Sequence, residues 1–189
     1  MSWHAVSGIA AGVIFSVSSG WYVLDIARSK VVVSIATFAV LALITVSQLV
    51  SLIAEHVWVV VPFTLVGAVA NVLIIILSYK NKRIYFDWLD KVALLGAIAG
   101  LILWAYTKDA ALNLYVLSAV TFVTFIPLVV KTFKNPSFET VKPWRLNLLA
   151  STFLLLSVNS IAAVVWVVPV RQFVCSVLIN IAVGKAQKA

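Results

Sequence analysis

The sequence predicts an all-α integral membrane protein with seven transmembrane helices, and three observations carry that reading. Of its 189 residues, 63% are hydrophobic and only 11% charged, against roughly 45–50% and about 25% in an ordinary soluble domain. The mean hydropathy is +1.13. The charged residues also stand between continuous apolar runs of the length a bilayer-crossing helix needs, about 20 residues. A transmembrane barrel would instead show alternating segments of about 10 residues. A soluble globular domain, a disordered chain and a disulfide-rich secreted module are excluded. The single cysteine, Cys175, lies in an apolar segment and is expected to be a buried, inert thiol.

The first helix is placed at 4–24, ahead of Arg28 and Lys30. No basic stretch precedes it, so it is read as a retained helix and not as a signal peptide. Uncharged runs give helices at 31–54 and 57–79. The fourth, at 89–107, is shorter, but Lys91 and Lys108 flank its apolar part and their long stems reach the interface. The fifth covers 110–131. Leu146 to Gly184 holds 39 residues and one charge, Arg171, too long for one helix and enough for two. Trp166 and Pro169 are expected to mark the turn, because proline breaks a helix and tryptophan favours the interface. The last two helices are therefore placed at 145–166 and 168–185. One membrane domain fills 1–189.

Short cytoplasmic loops collect Lys and Arg. With seven spans, Arg28, Lys30, Lys80, Lys82, Arg83, Lys91, Lys131, Lys134, Lys142, Arg145, Lys185 and Lys188 all fall on one side, and only Lys108 and Arg171 on the other. The N terminus is then outside and the C terminus inside, and most of the excess of 14 basic over 6 acidic residues faces lipid headgroups rather than nucleic acid. An offset of 107 residues relates Gly20 to Pro127, Pro62 to Pro169, Phe15 to Phe122 and Leu41 to Leu148. This suggests a 3+1+3 arrangement: a three-helix unit at 4–79, a linker helix at 89–107 that restores chain direction, and a second unit at 110–185.

This organisation resembles the PQ-loop/SWEET superfamily of seven-helix membrane proteins. The stretch Phe125-Ile126-Pro127-Leu128 followed by Lys131, Lys134, Asn135 and Pro136 resembles its proline-then-basic-loop signature, with Leu128 where the eponymous glutamine stands. Gly20 to Lys30 keeps the acidic-basic loop without the proline. Pro62 and Pro169 resemble the proline that opens the third helix of a unit. Sugar-carrying members place a substrate-binding asparagine directly after that proline; Phe63 and Val170 occupy those positions here, which counts against sugar. Pro136, Glu139 and Trp144 resemble a pattern of uncharacterised bacterial members. The resemblance implies a transporter or permease for a small neutral solute, working by alternating access in a bacterial inner membrane.

The alternative is a non-transporting membrane subunit or receptor-like scaffold that binds a protein or lipid partner. Its partners would be the lipid bilayer and either further copies of itself in a homo-oligomer or a larger membrane complex. Buried polar residues distinguish the readings, since lipid offers them no partner. Asn71 and Asn180, at comparable depth in the two units, either face a solute cavity or bond between helices; Gln48, Asn147, Asn159 and Gln172 share that ambiguity. Trp104 is a candidate to line the cavity from helix four. Pro62, Pro127 and Pro169 are candidate hinges. Arg171, the one charge inside an apolar segment, either snorkels outward or serves in anion recognition or gating. Asp25 is expected to pair with Arg28 or Lys30. His4 and His56 are read as rim residues. No metal, cofactor or catalytic constellation is expected. Ala93, Gly96, Ala97 and Gly100 form a small-residue stripe suited to close packing of helix four.

Overall fold

A backbone wrapped in apolar side chains satisfies its N–H and C=O groups most simply as continuous helix. The computed structural model describes residues 2–31, 33–81, 88–135 and 139–186. These form seven α-helices: α1 (Trp3–Ala27), α2 (Ile35–Ala54), α3 (Val61–Asn81), α4 (Trp88–Thr107), α5 (Ala110–Lys134), α6 (Val141–Leu156) and α7 (Ala163–Ala186). Lys82, Arg83, Pro136 and Lys188 lie outside the described residues. Side-chain caps fix three helix starts. Ser2 Oγ accepts from the Ala5 N–H at 3.3 Å, Ser34 Oγ from Thr37 at 3.2 Å and Asp109 Oδ1 from Leu112 at 2.9 Å, each satisfying a donor the first turn leaves free. Two helix ends share another device. Lys30 N–H reaches Asp25 O (2.9 Å) around Ser29 at φ 56°, and Val57 N–H reaches Leu52 O (2.9 Å) around His56 at φ 55°. Both are left-handed helix terminations, with Ser and His where glycine is usual.

Packing joins six of these helices into a ring. α1 lies against α3 and α6, α3 against α2, α2 against α5, α5 against α7, and α7 against α6; α4 stays outside, resting on α2 and α5. Exchanging α1 with α5, α2 with α6 and α3 with α7 maps the ring onto itself. Gly96 and Gly100 face α5, where a Cβ at Gly100 would stand 3.2 Å from Val116 Cγ1. Ala93 and Ala97 lie outside the described side chains. Apolar clusters close the ring at both ends. Tyr22, Ile26, Phe38, Leu128, Trp144 and Ile179 gather at the end of the α1–α2 and α5–α6 loops, and Leu52, Val60, Phe63, Leu114, Leu154 and Val168 at the other.

Five helices, α1, α2, α3, α5 and α7, are long and apolar enough to cross a membrane. In α4 the apolar stretch is Leu94–Thr107. With 16 residues, α6 rises only about 24 Å.

The last turn departs from its expected place. α6 stops at Leu156 and α7 begins at Ala163, so the break lies at 157–162 and not at Trp166 and Pro169. Polar residues make it: Ser157 Oγ donates to Leu154 O at 2.6 Å, and Trp166 Nε1 donates to Ser160 O at 2.7 Å. Pro169 is interior to α7 and Pro127 interior to α5, whereas Pro62 is the second residue of α3. A proline in the first turn removes an N–H that has no helical partner anyway. The hinge expectation therefore keeps a physical basis at Pro127 and Pro169 and loses it at Pro62.

Candidate functional site: a central polar-belted cavity

Within the ring lies a partly open cavity of about 120 Å³ to which all six of its helices contribute and α4 does not. One water needs about 10–15 Å³ of such space, so the cavity takes several waters or one small organic molecule. Much of its wall is aromatic. Phe15 and Phe63 stack with centroids 3.9 Å apart, and Trp144 makes edge contacts with Tyr22 at 5.5 Å and Phe125 at 5.9 Å.

A belt of polar side chains crosses this apolar wall. From α7, Gln172 Nε2 donates to Asn147 Oδ1 on α6 (3.3 Å), and Arg171 Nη2 approaches Gln172 Oε1 (3.5 Å). Arg171 Nη1 donates to Gln48 Oε1 on α2 (3.2 Å), and Gln48 Nε2 donates onward to Ser118 Oγ on α5 (3.4 Å). Asn71 Nδ2 on α3 reaches Thr45 Oγ1 on α2 at 3.5 Å, and Thr45 in turn donates to the carbonyls of Leu41 and Ala42. Gln48 is fully buried.

Among the described residues, Arg171 is the only charged one lining the cavity. It borders a second, open groove between α5 and α7 as well, but its guanidinium reaches inward to α2 instead of snorkelling to the surface. A charge at this depth costs about 2.5–3.5 kcal/mol on insertion scales. Its buried Nε–H has no partner among the described residues.

The structure separates the two asparagines that the sequence pairs. Asn71 lines the cavity; Asn180 does not, and donates instead to the carbonyls of Trp144 and Ser176, both at 2.7 Å. The 107-residue offset from Asn71 falls on Leu178, two residues before Asn180. Two residues turn a helix by about 200°, which carries Asn180 to another face. Trp104 is on α4, outside the ring, and is not in the cavity wall. Gln48, Asn147 and Gln172 do line it, whereas Asn159 is exposed in the α6–α7 turn. His4 and His56 lie at one end, with His4 Nδ1 3.2 Å from Leu156 O. Cys175 is buried.

Below the cavity, a cluster of buried polar groups ties α1 to the α5–α6 loop. Glu139 accepts from Tyr22 Oη at 3.2 Å and from Trp144 Nε1 at 3.0 Å, with Lys131 Nζ 3.8 Å away. Burial raises its carboxyl pKa to about 6, partly offset by the Lys131 charge and the hydrogen bonds it accepts. Asp25, expected to pair with Arg28 or Lys30, instead accepts from Thr140 Oγ1 at 2.8 Å. Ser18 Oγ donates to Pro143 O at 2.6 Å. Glu139 and Trp144, noticed in the sequence only as a pattern, are thus direct partners. No protein family, curated protein or solved structure matches this chain.

Proposed function

We propose that the chain is a seven-span, SWEET-like membrane transporter that carries a small solute through its central cavity by alternating access. The units α1–α3 and α5–α7 rock against each other with α4 as linker, the N terminus outside and the C terminus inside, in a bacterial inner membrane. The observation that carries this reading is the cavity itself. It is walled jointly by both units and lies between two apolar end clusters, where repeat-built transporters hold their solutes. Interhelical bonds such as those of Asn71, Asn147 and Asn180 suit a packed scaffold as well, but a scaffold has no use for such a space. The span count is supported at α6 by its contacts with α1 at both ends, Trp144 with Tyr22 and Leu156 with His4.

Uptake of amino acids, nucleosides and small carboxylates into proteoliposomes tests this reading. Asn71→Leu is expected to reduce uptake at least tenfold. Asn180→Leu should leave solute affinity unchanged and cost about 1 kcal/mol of stability, the scale of an interhelical hydrogen bond in a membrane. Folded protein that moves no member of the panel sinks the transport reading.

A further inference from the structure

We propose that the cavity is an anion site, that Arg171 is its charge-reading residue, and that the solute it takes is a small monocarboxylate. For its transport half this rests on the function proposed above; the binding half stands on the geometry alone. An arginine carries five N–H donors and stays charged. Here the guanidinium bonds go to the neutral amide oxygens of Gln48 and Gln172, and Nε–H is buried without a partner among the described residues. Among the described residues, no carboxylate lines the cavity. The buried carboxylates among the described residues are Asp25 and Glu139. Asp25 is bonded to Thr140, and Glu139 to Tyr22, Trp144 and Lys131, at the loop end; neither neutralises Arg171. A charge held among apolar helices is ordinarily paired; Arg171, half-buried between the cavity and the α5–α7 groove, has no charged partner among the described residues, so the counter-charge arrives with the ligand.

The remaining wall specifies what kind of anion. One cation balances one negative charge, whereas a phosphate dianion calls for a second. A guanidinium pairs a carboxylate through two N–H groups matched to its two oxygens. Gln48 and Gln172 hold that fork in place. Phe15, Phe63, Phe125 and Trp144 offer the rest of the ligand an apolar, aromatic wall. The solute is therefore a carboxylate with an apolar body, in place of the neutral solute expected from the sequence, and its neutral analogues fit the space but leave the charge unanswered.

The test uses the full chain in detergent, titrated with lactate, pyruvate and benzoate, each beside its neutral amide, and read by tryptophan fluorescence and thermal shift. The carboxylates are expected to saturate and to raise the melting temperature, while the amides do neither. Arg171→Gln should weaken carboxylate binding at least about tenfold, the range of a charge-assisted hydrogen bond, and Arg171→Lys should retain part of it. Should Arg171→Gln not fold, the carboxylate-against-amide comparison on the unmodified protein decides alone. Amides that bind as tightly as their acids, Arg171→Gln affinity equal to the parent's, or no binding by any carboxylate overturns the proposal. Counterflow of lactate in proteoliposomes then separates the two readings. Carboxylates that bind yet are not moved leave the anion site standing and remove transport, whereas amide transport that survives Arg171→Gln does the reverse.

Discussion

His56 shows how a single residue records a compromise between local backbone and fold. It ends α2 at φ 55°, a conformation that places the Cβ of an L-residue against the following carbonyl. Glycine has no such conflict, although it loses more chain entropy on folding. The ring of His56 stands 6.3 Å from that of Trp58 in a tilted contact, and little else depends on it. His56→Gly is therefore expected to stabilise the protein by about 0.5–1 kcal/mol, read as a higher thermal midpoint in detergent. A lower midpoint would show that the Trp58 contact outweighs the backbone strain.

Between elements, the link from α1 to the start of α6 is where pH acts. Tyr22, Trp144 and Lys131 surround the Glu139 carboxyl, whose pKa is raised from 4.5 to about 6 chiefly by burial. A folded-state value above the unfolded one means that the folded state holds the proton more tightly. The stability this group contributes is complete below pH 4.5 and is lost as pH rises through 6. The difference is about 2 kcal/mol. Glu139→Gln should abolish that part of the pH dependence, seen by comparing the thermal midpoints of the two proteins from pH 4 to 7; parallel curves would contradict the assignment. The elements themselves were legible because apolar runs bounded by charges leave helix as the economical solution for the backbone. The α6–α7 turn was not. Pro169 drew attention as the strongest local breaker, but a single interior proline costs one hydrogen bond, while Ser157, Asn159 and Ser160 together offer the backbone alternative partners.

Over the whole molecule, the cavity exists because six helices close on themselves and leave a space that no one helix announces. Arg171, Gln48, Asn147 and Gln172 each stood out in the sequence as polar residues in apolar runs. That they form one belt depends on α7 lying between α5 and α6 and on α2 facing α5, which no spacing within the chain encodes. Asn180 looked equivalent to Asn71 by depth and fell away by helical phase. Thr45 gave no sign of a role and Trp144 only a place in a short pattern, since a mid-helix threonine and a tryptophan near a helix end are ordinary in membrane proteins. The central claim is that this space opens to each side of the bilayer in turn. Its most direct test is Thr45→Cys in a Cys175→Ala background, reconstituted in oriented vesicles and exposed to a membrane-impermeant thiol reagent from one side or the other. Modification from both sides is the predicted result, and modification from one side only, or from neither, contradicts the account.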